Sequence, residues 1–215
     1  MTAAPVDIRL YAILDPARAR SDDLPALARA AAKGGATILQ YRDKNASTRT
    51  MVERARAIRA ALEGSGVPFL VNDRVDVALA AGADGVHVGE ADMEAADARA
   101  LLGPERIVGL TIKEQRHAEA APLAALDYVC IGGVFDTLSK ANPTAIGLHG
   151  WRTLAAHFRT HAPQLPVGAI AGIDETNAAD VMAAGANGVA VISAIFCADD
   201  PEAAAARLRT IVEDA

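Results

Sequence analysis

Three polar side chains at alternate positions form the clearest chemical pattern in this sequence. Gln40, Arg42 and Lys44 follow the apolar run 36–39. Successive side chains of an extended segment point to opposite faces, so these three are expected to share one face. A row of hydrogen-bond donors, two of them cationic, suits a phosphate or a diphosphate. An ordinary polar strand exit has the same composition, so the stretch alone leaves both interpretations open.

Further polar residues follow the next two apolar runs. Asn72 and Asp73 come after the first of these runs, and Glu90 and Asp92 come after the second. Asp73 and Asp92 are expected to leave neighbouring strands, where two carboxylates can bind one Mg²⁺. Either aspartate can instead cap the helix that follows it. His87 lies between Val residues in the middle of a strand pattern, which favours an interior histidine over a catalyst.

The longest connection, residues 132–143, has the composition of a binding loop. Thr137, Ser139 and Lys140 lie in it and offer two hydroxyls and a cation to a phosphate. Long connections in compact domains often bind ligands, although a purely solvated loop is the alternative.

The elements that must position these residues alternate between strands and Ala-rich helices. The predicted strands are Ile8–Leu14, Thr37–Arg42, Phe69–Asn72, Gly85–Val88, Ile107–Thr111, Tyr128–Gly132, Val167–Ile170 and Gly188–Ile192. The predicted helices are Leu24–Lys33, Thr48–Glu63, Val75–Ala80, Glu94–Leu102, Lys113–Ala121, Trp151–His161, Asn177–Ala183 and Glu202–Val212. Such alternation indicates βαβ units and a parallel sheet. We predict the α/β class and one (β/α)₈ TIM-barrel domain over residues 1–215; an open flavodoxin-like sheet is the alternative.

An internal repeat supports the barrel. The segment 81–86 recurs as 184–189, with Gly82 and Gly185 at the turn from a helix into a strand. In a barrel the active site lies where the strands end. Polar residues at the ends of successive predicted strands are therefore expected to share one site.

A second anion site is expected after the last two strands. The loops after strands seven and eight commonly bind phosphate in this fold, through free backbone N–H groups. Gly172 permits close approach of the backbone there, and Ser193 can donate its hydroxyl or cap a helix. Two anion sites imply two phosphorylated substrates, or one substrate with a phosphate at each end.

The amino-acid composition indicates the kind of core and limits the classes of binding partner. Of 215 residues, 52% are hydrophobic and 4% are aromatic, which predicts a large core of small aliphatic side chains. The net charge of −6 disfavours nucleic acid as a partner.

No apolar run reaches the roughly 20 residues of a membrane span. The start of the chain does not resemble a signal peptide, and the two separated cysteines fit a reducing compartment. We expect a cytoplasmic protein that binds small molecules, and we leave a homo-oligomer open.

The motifs together resemble the thiamine phosphate synthase family over essentially the whole chain. The matching pieces are Gln40-x-Arg42-x-Lys44, Asn72-Asp73-Arg74-x-Asp76, the run 83–89, Thr137-x-Ser139-Lys140 and the run 188–195. The resemblance implies a transferase on a TIM-like barrel. Its members join an aminopyrimidine methyl diphosphate to a hydroxyethylthiazole phosphate and release diphosphate.

The resemblance also implies a role for each matching residue. The pyrimidine diphosphate would be held by Gln40, Arg42, Lys44, Asn72 and Lys140, and Mg²⁺ by Asp73 and Asp92. The thiazole phosphate would face Thr137, Ser139, Gly172, Ile192 and Ser193. Thr111 takes the place of a family serine near the pyrimidine, and with Arg42, Lys44 and Lys140 it completes the expected catalytic set. In the family the C–O bond to diphosphate is thought to ionise first, which requires neutralisation of the leaving group.

Four positions depart from the family pattern. Lys113 replaces a histidine after strand five, and Glu90 replaces a glutamine beside the second metal aspartate. Ala171 replaces the first glycine of a Gly-Gly pair after strand seven, and Asp136 stands where proline is common. Two rival functions follow: a thiazole tautomerase-like enzyme on the same barrel, and a non-catalytic paralogue that binds phosphate ligands. The tautomerase would need the strand-five histidine, so Lys113 favours the synthase.

Overall fold

The computed structural model of the chain describes residues 5–136 and 145–215. Within them, eight parallel strands form a closed barrel in chain order, and β8 pairs with β1. The strands are β1 (Leu10–Leu14), β2 (Ile38–Tyr41), β3 (Phe69–Asn72), β4 (Gly85–Val88), β5 (Ile107–Ile112), β6 (Tyr128–Ile131), β7 (Val167–Ile170) and β8 (Val189–Val191). The helices are α1 (Leu24–Lys33), α2 (Thr48–Ala61), α3 (Val75–Ala81), α4 (Ala95–Leu102), α5 (Gln115–Ala120), α6 (Gly147–His161), α7 (Ala178–Ala183), α8 (Ser193–Phe196) and α9 (Pro201–Asp214). The predicted (β/α)₈ barrel is confirmed, and the open sheet is excluded.

The largest boundary error concerns α6. The sequence pattern places its start at Trp151, whereas the helix begins one turn earlier, at Gly147. Gly147 and Gly150 lower the helix propensity of that first turn, so the pattern conceals it. The four-residue helix α8 was not predicted as a separate element, because it is too short to show a helical period.

Successive side chains along the strands point alternately into two apolar layers. One layer packs between the strands and the helices, and it contains the side chains of Leu39 and Tyr41. The other fills the barrel interior, where Tyr11, Tyr128 and the thiol of Cys130 are buried. Cys130 is thus a small buried side chain of this interior layer.

Gly109 provides the room that Tyr128 needs inside the barrel. A Cβ atom on Gly109 would lie only 2.1 Å from Cζ of Tyr128 on the adjacent strand. The small residue on β5 therefore complements the large one on β6, as interior layers of a barrel require.

The N-terminal ends of the strands share one hydrogen-bonding pattern. A polar residue ahead of each even-numbered strand accepts a hydrogen bond from a backbone N–H at the start of the preceding odd-numbered strand. The four pairs are Leu10 with Thr37 (3.1 Å), Phe69 with Asp84 (2.8 Å), Val108 with Asp127 (2.7 Å) and Val167 with Asn187 (2.8 Å). In each pair the backbone N–H of the polar residue donates in return to the carbonyl of the strand residue. Asp84 and Asn187 occupy equivalent places in the two copies of the internal repeat. Both copies therefore have a side-chain oxygen at this place, where it accepts the strand N–H.

The helices carry no sign of a membrane span. None of those in 5–136 and 145–215 combines the length and apolar character needed to cross a bilayer.

Candidate functional site

The polar residues predicted from strands two to five lie at the C-terminal end of the barrel. Arg42 follows β2, Asp73 follows β3, Asp92 lies in the loop after β4, and Thr111 lies near the end of β5. The parallel register places these strand ends side by side. This end of the barrel is therefore the candidate active site.

Asp73 and Asp92 form a carboxylate pair at its centre. Burial raises the pKa of Asp73 first, and its hydrogen-bonding contact with Asp92 raises it further, while Lys44 acts in the opposite direction. Asp73 has a left-handed backbone, with φ of 59°, and its N–H donates to the carbonyl of His87 at 2.8 Å. Such a conformation is uncommon outside glycine and is concentrated at functional sites.

The loop after β4 fixes the second carboxylate. Oδ2 of Asp92 accepts a hydrogen bond from the Gly89 N–H at 2.8 Å, and the Asp92 N–H donates back to the Gly89 carbonyl at 3.1 Å. Glu94 is the N-cap of α4 and Arg74 is the N-cap of α3. The alternative, that Asp73 and Asp92 are helix caps, is therefore wrong for both residues.

Two cations follow β2 at the same end of the barrel, each with an acidic partner. Lys44 forms an ion pair with Asp73 and keeps about half of its side chain exposed, at 49%. Arg42 binds Asp15, whose side chain is only 4% exposed. The sequence analysis missed Asp15, although its position directly after β1 is the signal that identified the other strand-end residues.

Asp43 has a structural role, in contrast to its neighbours Arg42 and Lys44. Its carboxylate accepts hydrogen bonds from Tyr41 at 2.9 Å, from Arg54 at 2.7 Å, and from two backbone N–H groups of the following loop. Burial alone would raise the pKa of Asp43, but these hydrogen bonds outweigh it and the pKa lies below its ordinary value. Asp43 thereby fixes the loop that carries Lys44.

Gln40 shares the inward face of β2 but lies deeper than predicted. Its side chain is buried, and its amide nitrogen donates to the hydroxyl of Tyr11 inside the barrel. Asn72 ends β3 and is partly exposed next to Asp73. Of the predicted Gln40, Arg42 and Lys44 row, only the two cations lie at the surface of the candidate site.

His87 connects the interior to Thr111. Its Nε2 lies 2.7 Å from Oγ1 of Thr111, and its Nδ1 lies 2.8 Å from the hydroxyl of Tyr128. This confirms His87 as an interior histidine with hydrogen-bond partners. Tyr11 and Tyr128 were missed by the sequence analysis, because aromatic residues inside strand patterns are normally apolar core.

Glu90, which follows β4 like Asp92, contacts residues of α5 and lies close to the residue that precedes this helix. Its carboxylate contacts Nε2 of His117 and the guanidinium of Arg116, which also binds Glu114 at 2.7 Å. Glu90, Glu114 and His117 bring three potential metal-ligand atoms within 4.8 Å of one another. Arg116 already neutralises both carboxylates, so the cluster is a surface ion-pair network.

The loop after β7 is closely packed against the residues that follow β6. The Phe135 N–H donates to the Ala171 carbonyl at 3.1 Å, and a Cβ atom on Gly172 would lie 2.4 Å from the Asp136 carbonyl oxygen. Both loop residues have left-handed backbones, with φ of 96° at Ala171 and 66° at Gly172. An L-residue is strained in that region, so Ala171 carries a conformational cost that glycine would avoid.

The residues after β8 divide between core and surface. Ile192 is buried in the interior layer, and the exposed Ser193 opens α8 as its first residue. Ile192 is the N-cap of this helix and makes no side-chain cap hydrogen bond, so the alternative of a capping Ser193 is wrong. Thr137, Ser139 and Lys140 lie outside the described residues, so their predicted roles stay predictions.

The chain is similar to known proteins both in sequence and in fold. A family model described as thiamine monophosphate synthase matches residues 10–195. Thiamine-phosphate synthase of Agrobacterium fabrum is 55% identical over 211 residues, covering 98% of this chain and 96% of the relative. Thiamine-phosphate synthase of Chloroflexus aurantiacus is 47% identical over 208 residues, covering 96% of this chain and 94% of the relative. Among solved structures, thiamine phosphate pyrophosphorylase from Pyrococcus furiosus superposes with a TM-score of 0.84 at 37% identity, covering 97% of each chain.

Proposed function

The chain belongs to the thiamine monophosphate synthase family, and we propose that it couples 4-amino-2-methyl-5-pyrimidinylmethyl diphosphate with hydroxyethylthiazole phosphate. The products are thiamine phosphate and diphosphate. The thiazole nitrogen forms the new bond to the pyrimidine methylene carbon, and the C–O bond to diphosphate breaks with its electron pair leaving on oxygen. No enzyme nucleophile is needed.

The observation that carries this proposal is the combination of acids and cations at the C-terminal end of the barrel. Asp73 and Asp92 contact each other, Lys44 forms an ion pair with Asp73, and Arg42, also just after β2, forms one with Asp15. A diphosphate leaving group develops negative charge, and preorganised cations stabilise that charge in the transition state. The same end of the barrel hosts the active site in enzymes of this fold.

The carboxylate pair fits a Mg²⁺ ion. Two carboxylates in contact repel each other, and burial with this contact raises the pKa of Asp73. Hard oxygen ligands from one or two carboxylates, completed by water and substrate phosphate, are what Mg²⁺ takes in proteins. When bound, the ion would neutralise charge on the diphosphate. We assign Asp73 and Asp92 as its protein ligands.

The remaining residues of the pyrimidine side bind and orient. Arg42 uses one N–H group for Asp15, and a guanidinium has five such donors. Its planar geometry suits a phosphate oxygen pair. Lys44 supplies a mobile point charge from a half-exposed position. Asn72 and Gln40 supply amide groups from neighbouring strands, with Gln40 held below the surface by Tyr11. Thr111 supplies a hydroxyl, and the family resemblance adds Lys140.

The thiazole phosphate is assigned to the loops after β7 and β8. Gly172 and Ser193 lie there, and Ile192 contributes its backbone at the start of α8. The resemblance adds Thr137 and Ser139. Holding the thiazole nitrogen close to the pyrimidine methylene converts a bimolecular reaction into one within a single complex.

The test is an assay of the purified protein with both substrates and Mg²⁺. The proposal predicts equal amounts of thiamine phosphate and diphosphate, and no product when the metal is chelated. A thiazole that changes without diphosphate release would identify the tautomerase-like alternative. Binding of either substrate without turnover would identify the non-catalytic paralogue.

A further inference from the structure

Five side chains form a continuous hydrogen-bond network across the barrel interior. It runs through Gln40, Tyr11, Tyr128, His87 and Thr111, from β2 to β5; these five residues are the interior network. The two tyrosine hydroxyls are 2.7 Å apart, Tyr128 lies 2.8 Å from Nδ1 of His87, and Nε2 of His87 lies 2.7 Å from Oγ1 of Thr111. Both ends of the network are residues assigned above to the pyrimidine substrate.

The network has a direction, which its first member sets. The amide nitrogen of Gln40 faces Tyr11 and can only donate. The Tyr11 oxygen accepts this bond but has a second lone pair, so either tyrosine can be the donor between the two hydroxyls. Only donation from Tyr11 to Tyr128 gives the buried Tyr11 proton an acceptor within the network. In that arrangement Tyr128 donates to Nδ1 of His87, which leaves the imidazole proton on Nε2, facing Thr111. Each tyrosine hydroxyl donates its single hydrogen bond to the next residue of the network.

The chemical properties of the two tyrosines fit this arrangement. Both are fully buried, and burial raises the pKa of each hydroxyl well above its ordinary value, so both stay protonated. Their rings pack edge to face with centroids 5.7 Å apart. Gly109 opposite Tyr128 leaves space for that ring alone. A network that is both protonated and tightly packed has little freedom to reverse.

We infer that the interior network fixes His87 as the neutral Nε2–H tautomer and fixes Thr111 as an outward hydrogen-bond donor. The Thr111 oxygen accepts from His87, so its proton is directed to an acceptor on the substrate. An acceptor of the expected class is a ring nitrogen of the aminopyrimidine. Tyr11, Tyr128 and His87 are then positioning residues that act through Thr111. This inference deepens the proposed function and rests on it for the identity of the substrate.

The tautomer can be measured without substrate, by ¹⁵N NMR of the histidine side chains, with His87 identified by its loss in His87→Asn. We expect the Nε2–H form in the wild-type protein. Gln40→Glu replaces the donor by an acceptor of the same shape, so it should reverse the network and give the Nδ1–H form. A wild-type Nδ1–H tautomer or a doubly protonated ring would overturn the inference, whatever the enzyme's activity.

The action through Thr111 is tested by a double-mutant cycle in the synthase assay. Tyr128→Phe should lower kcat/KM for the pyrimidine diphosphate roughly tenfold, about the value of one hydrogen bond. In a Thr111→Val background the same change should have no further effect, because the hydroxyl that it orients is gone. Thr37→Val, which removes a partly buried hydroxyl at the N-terminal end of the barrel, should leave kcat/KM unchanged in both backgrounds.

Additive effects of Tyr128→Phe and Thr111→Val would refute the positioning role. Melting temperatures of all variants show whether a lower kcat/KM reflects a loss of folded protein instead. If wild-type protein shows the Nε2–H tautomer but forms no thiamine phosphate, the proposed function fails while the assigned direction of the network stands.

Discussion

The two ends of the barrel use the same residue types for opposite purposes. At the N-terminal end, Asp84, Asp127 and Asn187 accept hydrogen bonds from backbone N–H groups of the preceding strand. At the C-terminal end, Asp15 and Asp73 are paired with Arg42 and Lys44, and Asp73 also contacts Asp92. The difference follows from the polarity of the backbone.

Parallel strands begin with unpaired N–H groups and end with unpaired carbonyl groups. A carboxylate at the beginning of a strand is therefore satisfied by the fold itself, in keeping with the need to pair buried backbone donors. The end of a strand itself offers only carbonyl oxygens, so a carboxylate there must be satisfied by a cation, as Asp73 is, or by N–H groups of the following loop, as Asp92 is. The aspartates ahead of the strands are thus structural, whereas at the C-terminal end Asp43 is structural and Asp73 and Asp92 are available for metal and phosphate chemistry.

The same substitution at the two ends gives the sharpest test of this comparison. Asp73→Asn or Asp92→Asn should slow turnover by about 10²-fold or more and weaken the dependence on Mg²⁺, because one charged ligand is lost. Asp84→Asn is the matched control: Asn187 performs the same task with an amide oxygen, so kcat and its Mg²⁺ dependence should be unchanged. Steady-state kinetics across a Mg²⁺ titration measure kcat and its Mg²⁺ dependence in each variant. Wild-type metal dependence in the Asp73 and Asp92 variants would reject the assignment.

A smaller effect on activity is expected when a cation is removed from the C-terminal end. Arg42→Ala should lower kcat/KM for the pyrimidine diphosphate on the order of 10- to 100-fold, the range of a hydrogen bond to a charged group. It should also lower the melting temperature, because it leaves the buried Asp15 unpaired. The sequence does not reveal this second effect, since it does not identify Asp15 as the partner of Arg42.

Arg99 provides the control for that variant at the other end of the barrel. It binds Asp127 and backbone carbonyls. Arg99→Ala should therefore lower the melting temperature without changing kcat/KM of the folded enzyme. If Arg42→Ala behaves in the same way, Arg42 is structural and the comparison fails at this residue.

Removing a side-chain oxygen at the N-terminal end should affect stability alone. Asp84→Ala leaves the Phe69 N–H without its acceptor, which costs about 1–3 kcal/mol. Denaturant unfolding should show this loss, whereas Asp84→Asn should retain most of the stability. A drop in kcat of the folded Asp84→Ala enzyme would indicate that the two ends are coupled.

The smallest expected effect is a gain, at the loop after β7. Ala171 has φ of 96°, where an L-residue is strained, so Ala171→Gly should stabilise the protein by up to about 1 kcal/mol. A glycine ordinarily carries an entropic cost, but relief of the left-handed conformation at Ala171 outweighs it. The change should also lower KM for the thiazole phosphate and leave that of the diphosphate substrate nearly unchanged. If both KM values move together, this loop is not a separate phosphate site.

Local patterns were sufficient to predict the fold and much of the candidate site. The alternation of strands and helices predicted the barrel, and polar residues at strand ends predicted the grouping of Arg42, Asp73 and Asp92. This succeeds because a parallel barrel brings every strand end of one polarity to the same place, whatever the details of packing. The family motifs added substrate classes that no periodicity contains.

Contacts between distant strands could not be predicted in the same way. Nothing near Asp73 in the sequence indicates its left-handed backbone, and nothing near Arg42 indicates that Asp15 is its partner. Tyr11 and Tyr128 have the pattern of apolar core residues, yet they join hydroxyl to hydroxyl across the barrel.

The sequence by itself determined which residues lie at each strand end, because that depends on position along one segment. The tertiary structure decided which of them contact one another and with what charge balance. Ring closure sets those distances, and they exist only once all eight strands are paired.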